Sequence, residues 1–127
     1  MEISKDQDVV SFRNRVKEYA VKIGMSVVNQ TKLITAASEL VRNMLKYANG
    51  GKVTLQIVSR NNMTGVKLIF EDQGPGIEDI KLAMQDGYTT GKSLGMGLPG
   101  AKRLVNEFDI KSELGKGTWV SVIRWKN

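Results

Sequence analysis

Apolar side chains recur at every third or fourth position in the first part of the chain and at every second position afterwards, so helices are expected before strands. Between Asp6 and Ile23, the residues Val9, Phe12, Val16, Tyr19, Ala20 and Ile23 share one stripe. That predicts a helix, stopped by Gly24 in the left-handed conformation. A second helix is expected from about Asn29 to Ala48, with Leu33, Ala37, Leu40, Met44 and Ala48 inward and Asn49-Gly50-Gly51 ending it. Met1–Ser4 is short enough for an edge strand. The period then changes. Val53, Leu55 and Ile57 alternate with Thr54 and Gln56, and Val66, Leu68 and Phe70 with Lys67 and Ile69, the loop between them being Arg60–Gly65. Asp72-Gln73-Gly74-Pro75-Gly76 breaks the second strand, and a short helix is expected over about Glu78–Gln85. Asp86–Gly97, with four glycines in twelve residues, reads as a loop. Pro99–Phe108 reads as a helix with Leu104, Val105 and Phe108 inward, and Ile110–Leu114 and Thr118–Trp125 as a hairpin across Gly115-Lys116-Gly117. Two consecutive hairpins among such helices predict an α+β fold, a mostly antiparallel mixed sheet with helices layered on one face.

Composition narrows the chemistry. With 127 residues, 41% apolar and 25% charged, the expectation is one globular domain over 1–127 rather than a disordered or fibrous chain. No apolar run approaches the roughly 18 residues of a membrane span, and Met1–Asp6 lacks the pattern of a signal peptide. The sequence contains no cysteine, which excludes disulfides, thiolate catalysis and Cys-based zinc sites and fits a cytoplasmic protein. It also contains no histidine, so a Ser-His-Asp triad, an imidazole base and a phosphohistidine are all excluded, and proton transfer falls to carboxylates, Lys or Tyr. The balance of 19 basic and 13 acidic residues, +6, suits nucleic acid, the phosphates of a small ligand or an acidic protein partner. The basic residues are dispersed from Lys5 to Lys126 and aromatics make up only 6%, without a stacking pattern, which weighs against nucleic acid.

Four local patterns bear chemistry. Glu39 and Asn43 lie four apart on the second predicted helix, which puts both on one face about 6 Å apart along the axis. A solvated helix face would read the same way. In Asp72-Gln73-Gly74-Pro75-Gly76, a carboxylate ends a strand and two glycines admit close approach of a ligand; the same residues also make a good turn. Gly91–Gly100 opens a helix with flexible amides and with Lys92, a suitable anion site or simply a flexible loop. Its Gly95-Met96-Gly97-Leu98-Pro99-Gly100 matches the dinucleotide G-x-G-x-x-G but lacks the preceding strand, and Gly87–Ser93 misses the phosphate-loop spacing by one residue. Gly115-Lys116-Gly117-Thr118 closes the last hairpin.

In chain order, Glu39-x-x-x-Asn43, Asp72-x-Gly74-x-Gly76, Gly95-x-Gly97 and Gly117-Thr118 resemble the N, G1, G2 and G3 boxes of the Bergerat ATP-binding superfamily, over about residues 30–125. That superfamily includes gyrase-type topoisomerases, ninety-kilodalton heat-shock chaperones, sensor histidine kinases and mismatch-repair ATPases. The absence of histidine weighs against the sensor branch, as does Pro99-Gly100 where sensor kinases usually continue with Leu-Gly. The chain therefore looks most like the anti-sigma-factor serine/threonine kinases of bacterial partner switching, in particular the stressosome switch kinases. The resemblance implies ATP and Mg²⁺ as cofactors, with Asn43 on the metal and Glu39 as the base toward the incoming hydroxyl. It makes Asp72 the reader of the adenine amine, with Gly74 and Gly76 giving the base room and Thr118 supporting it through water. Gly95, Met96 and Gly97 would cover the phosphates, with Lys92 reaching toward them. It also implies STAS-domain protein substrates, with a PP2C-type phosphatase as a further partner and no role for nucleic acid or membrane. A nucleotide-dependent protein-binding module with marginal kinase activity is the other reading.

Overall fold

The computed structural model describes residues 1–76 and 98–127. In chain order these form β1 (Glu2–Ile3), α1 (Asp6–Lys22), α2 (Val27–Ala48), β2 (Gly51–Arg60), β3 (Met63–Asp72), α3 (Leu98–Arg103), β4 (Glu107–Glu113) and β5 (Gly117–Trp125). The helix expected at 78–85 and the loop at 86–97 lie outside the described residues.

The entry to α1 is fixed by Asp8, whose carboxylate accepts the Ser4 and Lys5 backbone N–H groups at 2.8 and 3.1 Å. The Ser4 N–H is the main reason that carboxyl sits below the usual carboxylate range. Gly24, at φ +81, ends the first helical segment as expected. α2 starts two residues earlier than the periodicity indicates, because the Ser26 hydroxyl accepts the Asn29 N–H at 3.2 Å and caps the helix before its apolar stripe begins. It ends at Asn49, left-handed at φ 60, whose N–H returns to the Leu45 carbonyl.

The five strands take the order β1-β2-β3-β5-β4. Every pairing among the described strands is antiparallel, so the sheet lacks the parallel component of a mixed one. The reason is topological. β5 returns from β4 through a tight hairpin and inserts between β3 and β4, separating the two strands that would otherwise run parallel. The β2–β3 loop is also shorter than Arg60–Gly65. Arg60 pairs with Met63 across Asn61 and Asn62, both at positive φ, the conformation that matches strand twist in a two-residue hairpin. The helix expected to reach Phe108 stops at Arg103, and Phe108 belongs to β4. Strand β5 captures the chain there: Asn106 N–H donates to the Ile123 carbonyl at 2.9 Å and Asn106 Oδ1 accepts from Trp125 N–H at 2.7 Å.

One face of the sheet is apolar. The register aligns Val53, Phe70 and Val120 in one row and Leu55, Leu68 and Val122 in the next. Phe12 and Val16 of α1, and Leu33, Ala37, Val41 and Met44 of α2, pack with those rows in one buried cluster, which Leu104, Val105 and Phe108 also join at its margin. Phe12 meets Phe70 edge-on with ring centroids 5.7 Å apart. The opposite face carries Lys52, Lys67, Glu71 and Lys111, and its two tryptophans lie under cations, Trp119 under Lys111 and Trp125 under Arg60. None of the described helices is long and apolar enough to cross a membrane.

Candidate functional site

The helix-facing side of the sheet ends in a polar row. Asp72 of β3 lies opposite Thr118 of β5, and Thr118 lies opposite Ser112 of β4, so the three side chains continue the apolar columns as a step of oxygens. Asp72 Oδ1 accepts two backbone N–H groups, from Gly74 at 2.9 Å and from Thr118 at 3.2 Å. Two elements are thus pinned by one carboxylate oxygen. Ser112 Oγ donates to the Gly117 carbonyl at 2.9 Å and lies 2.9 Å from Thr118 Oγ1. A cavity of about 320 Å³ opens across this end of the sheet, lined by Asp72, Ser112, Gly117 and Thr118, by Glu71, Lys111 and Trp119 of the opposite face, and by Gln73, Glu113 and Lys116.

The glycines here are required by close approach. A Cβ on Gly74 would stand 2.5 Å from the Ala48 Cβ, so only glycine lets this loop lie across the last turn of α2. Gly76, at φ +76, abuts the Glu113 carbonyl, and Gly117, at φ +97, abuts the Asp72 carbonyl. Gly115 N–H donates to the Pro75 carbonyl at 2.7 Å, tying the loop after β3 to the β4–β5 hairpin. Two segments about forty residues apart in sequence are held as one cradle by backbone contact.

Glu39 and Asn43 sit half-buried on α2, beside its buried stripe. Gly74 packs on Ala48, five residues past Asn43, or about 7.5 Å of helix rise. The pair and the Asp72 loop therefore share the C-terminal half of one helix. Thr35 and Lys46 of the same helix are exposed. Among the described residues, no group of three or more Asp, Glu, His or Cys could hold a metal by itself. That donor set fits Mg²⁺ only in its usual manner, with one protein oxygen and the rest from phosphate and water, and Asn43 Oδ1 is a donor of the right kind. Lys92, Gly95, Met96 and Gly97 lie outside the described residues.

One residue of this site, Ser112, is not singled out by the sequence. Gly117 is, together with Thr118, yet its contact with the Asp72 carbonyl is a cross-strand fact. Ser112 carried one signal, a hydroxyl at an inward position of β4 where Phe108 and Ile110 precede it in alternation.

Comparison with known proteins shows the family. The family described as histidine kinase-, DNA gyrase B- and HSP90-like ATPase matches residues 28–126. The serine/threonine-protein kinase RsbT of Bacillus subtilis is 42% identical over 123 residues, spanning 97% of this chain and 92% of the relative. An anti-sigma F factor of Thermoanaerobacter is 30% identical, spanning 97% of this chain and 89% of the relative. The mycobacterial sensor histidine kinase MprB superposes with a TM-score of 0.58 at 19% identity, over 76% of this chain and 71% of that one, a likeness of fold.

Proposed function

The chain belongs to the histidine kinase-, DNA gyrase B- and HSP90-like ATPase family, and on that premise we propose that it transfers the γ-phosphate of ATP to a serine or threonine hydroxyl of a STAS-domain protein. It is a protein serine/threonine kinase of the partner-switching kind, as its near-full-length likeness to such a kinase and to anti-sigma F factors supports. The observation that carries the site assignment is Asp72. Its Oδ1 is occupied by two backbone amides, which leaves Oδ2 to accept from an exocyclic amine at the mouth of a glycine cradle.

In this reading, Asp72 orients the adenine, and Gly74, Gly76 and Gly117 let backbone lie against it. Asn43 supplies one oxygen to Mg²⁺, which when bound offsets the phosphate charge. Glu39 takes the proton of the attacking hydroxyl as the new P–O bond forms and the bond to the ADP leaving group breaks. Lys92, Gly95, Met96 and Gly97 complete the reading as the segment that covers the phosphates. The protein acts in the cytoplasm, on stressosome-type STAS partners, and then engages a PP2C-type phosphatase.

A second reading has an observation of its own, since several relatives are anti-sigma F factors. In it, nucleotide-tuned capture of a partner is the output. Incubation with radiolabelled ATP, Mg²⁺ and purified STAS-domain proteins, followed by mapping of the label, separates the two. Label on a serine or threonine supports the kinase. A stable nucleotide-dependent complex without label would replace it with the binding module.

A further inference from the structure

The three side chains at the end of the sheet share a short hydrogen-bonded row. A hydroxyl has one proton to donate. Ser112 gives its own to the Gly117 carbonyl, which can only accept, at 2.9 Å. In the 2.9 Å contact between Ser112 Oγ and Thr118 Oγ1 either hydroxyl could donate; with the Ser112 proton on the Gly117 carbonyl, the donor there is Thr118. With its proton turned toward Ser112, Thr118 Oγ1 offers only lone pairs elsewhere. Asp72, directly opposite on β3, is likewise an acceptor. The row shows a ligand acceptors and no donor.

We propose that Ser112 is a specificity-determining positioning residue. By holding the Thr118 proton away from the cavity, it makes the site select a 6-aminopurine over a 6-oxopurine. An amino group donates to such a row, directly or through one water whose other O–H then points at an unprotonated ring nitrogen. A 6-oxo group brings an acceptor against acceptors, and its N1–H opposes that water. Without Ser112, the Thr118 hydroxyl turns freely and donates to an oxo group as readily as it accepts from an amine. Specificity is then set by a residue outside the base-reading pair, through backbone at Gly117 and a neighbour's hydroxyl. The inference rests on the reading of Asp72 and Thr118 as the base-reading pair.

The test is calorimetric binding of ATP and ITP, which differ only at the purine 6-position and N1. The proteins are wild type, Ser112→Ala, Ser112→Thr, Thr118→Val and the Ser112→Ala/Thr118→Val double variant, each checked by thermal melting. The expected result is a clear preference for ATP in the wild type, shrinking by about three- to tenfold in Ser112→Ala, the scale of one neutral hydrogen bond. Ser112→Thr, which keeps the hydroxyl, should retain the preference. In the Thr118→Val background, removal of Ser112 should change the ratio no further, since its effect passes through Thr118. An unchanged ATP-to-ITP ratio in folded Ser112→Ala overturns the proposal. If that variant does not fold, equal ratios in Thr118→Val and wild type overturn it instead. No preference for ATP in the wild type itself would overturn the adenine reading beneath it, a distinguishable failure.

Discussion

Replacing Asp72 in two ways separates what its carboxylate does for the fold from what it does for the nucleotide. Asp72→Asn keeps an oxygen where Gly74 and Thr118 donate, at 2.9 and 3.2 Å. Those two fixed N–H groups force the amide to turn its oxygen toward them, so its NH₂ takes the place of Oδ2 and faces the ligand amine donor to donor. The backbone network survives while a charge-assisted bond of about 1.5–3 kcal/mol is lost. The ATP dissociation constant should rise about 10- to 150-fold. Asp72→Ala removes both functions. Its two orphaned amides, in a half-buried site that water reaches, cost about 1 kcal/mol each, the low end for an unmade bond. For a chain of this length, that total of about 2 kcal/mol lowers Tm by about 8 °C. Calorimetry and thermal melting of the three proteins read the two effects apart. Wild-type ATP affinity in Asp72→Asn refutes the role of Oδ2, and an Asp72→Asn melting point as low as that of Asp72→Ala refutes the claim that the amide preserves the network.

The other expectations follow from the same geometry. Glu39→Ala should bind ATP normally but transfer phosphate about 10²- to 10⁴-fold more slowly, whereas Asn43→Ala should weaken Mg²⁺-dependent binding and transfer together; a Glu39 variant at the wild-type rate would leave it an ordinary helix-face residue. Gly117→Ala meets both a positive φ and the Asp72 carbonyl, so it should destabilise by more than about 2 kcal/mol and lose ATP affinity. Gly115→Ala, at φ +80 with open space around it, should cost only about 1 kcal/mol, and equal melting points for the two would contradict the contact argument. Reversing Arg13 and Arg15 should slow association with an acidic protein partner at low salt and spare ATP affinity. Two positions turn a helix by about 200°, so the single reversals should differ, the Arg13 flank also carrying exposed Val10 and Val21. Because Asp8 is depressed when folded, the stability it adds is present above the ordinary carboxylate value of about 3.9 and fades as pH falls through the folded value. The melting advantage of wild type over Asp8→Ala should accordingly be full at neutral pH and vanish in acid.

Much of the molecule is determined by local pattern. The stripes of α1 and α2 and the alternation of β2, β3 and β5 follow from burial of one face, and each such segment carries enough apolar positions to define its own period. The resemblance carried by the four boxes in chain order is likewise a matter of local spacing, and the ATPase family it points to is the one that matches residues 28–126. Where a neighbour competes, local pattern fails. Pro99–Phe108 has the apolar spacing of a helix, but hydrogen bonds from β5 to Asn106 draw the chain into β4 after Arg103. The absence of parallel pairing depends on β5 entering between β3 and β4, a choice of partner that no window of sequence contains. The same holds at the end of the sheet. Asp72 is conspicuous as a residue and its Gly74 contact is local, but its second backbone partner, the Thr118 amide, lies 46 positions away. Ser112 acquires its meaning only when β4 and β5 pair, because the direction of a hydroxyl proton is settled by what lies opposite and not by what lies next to it.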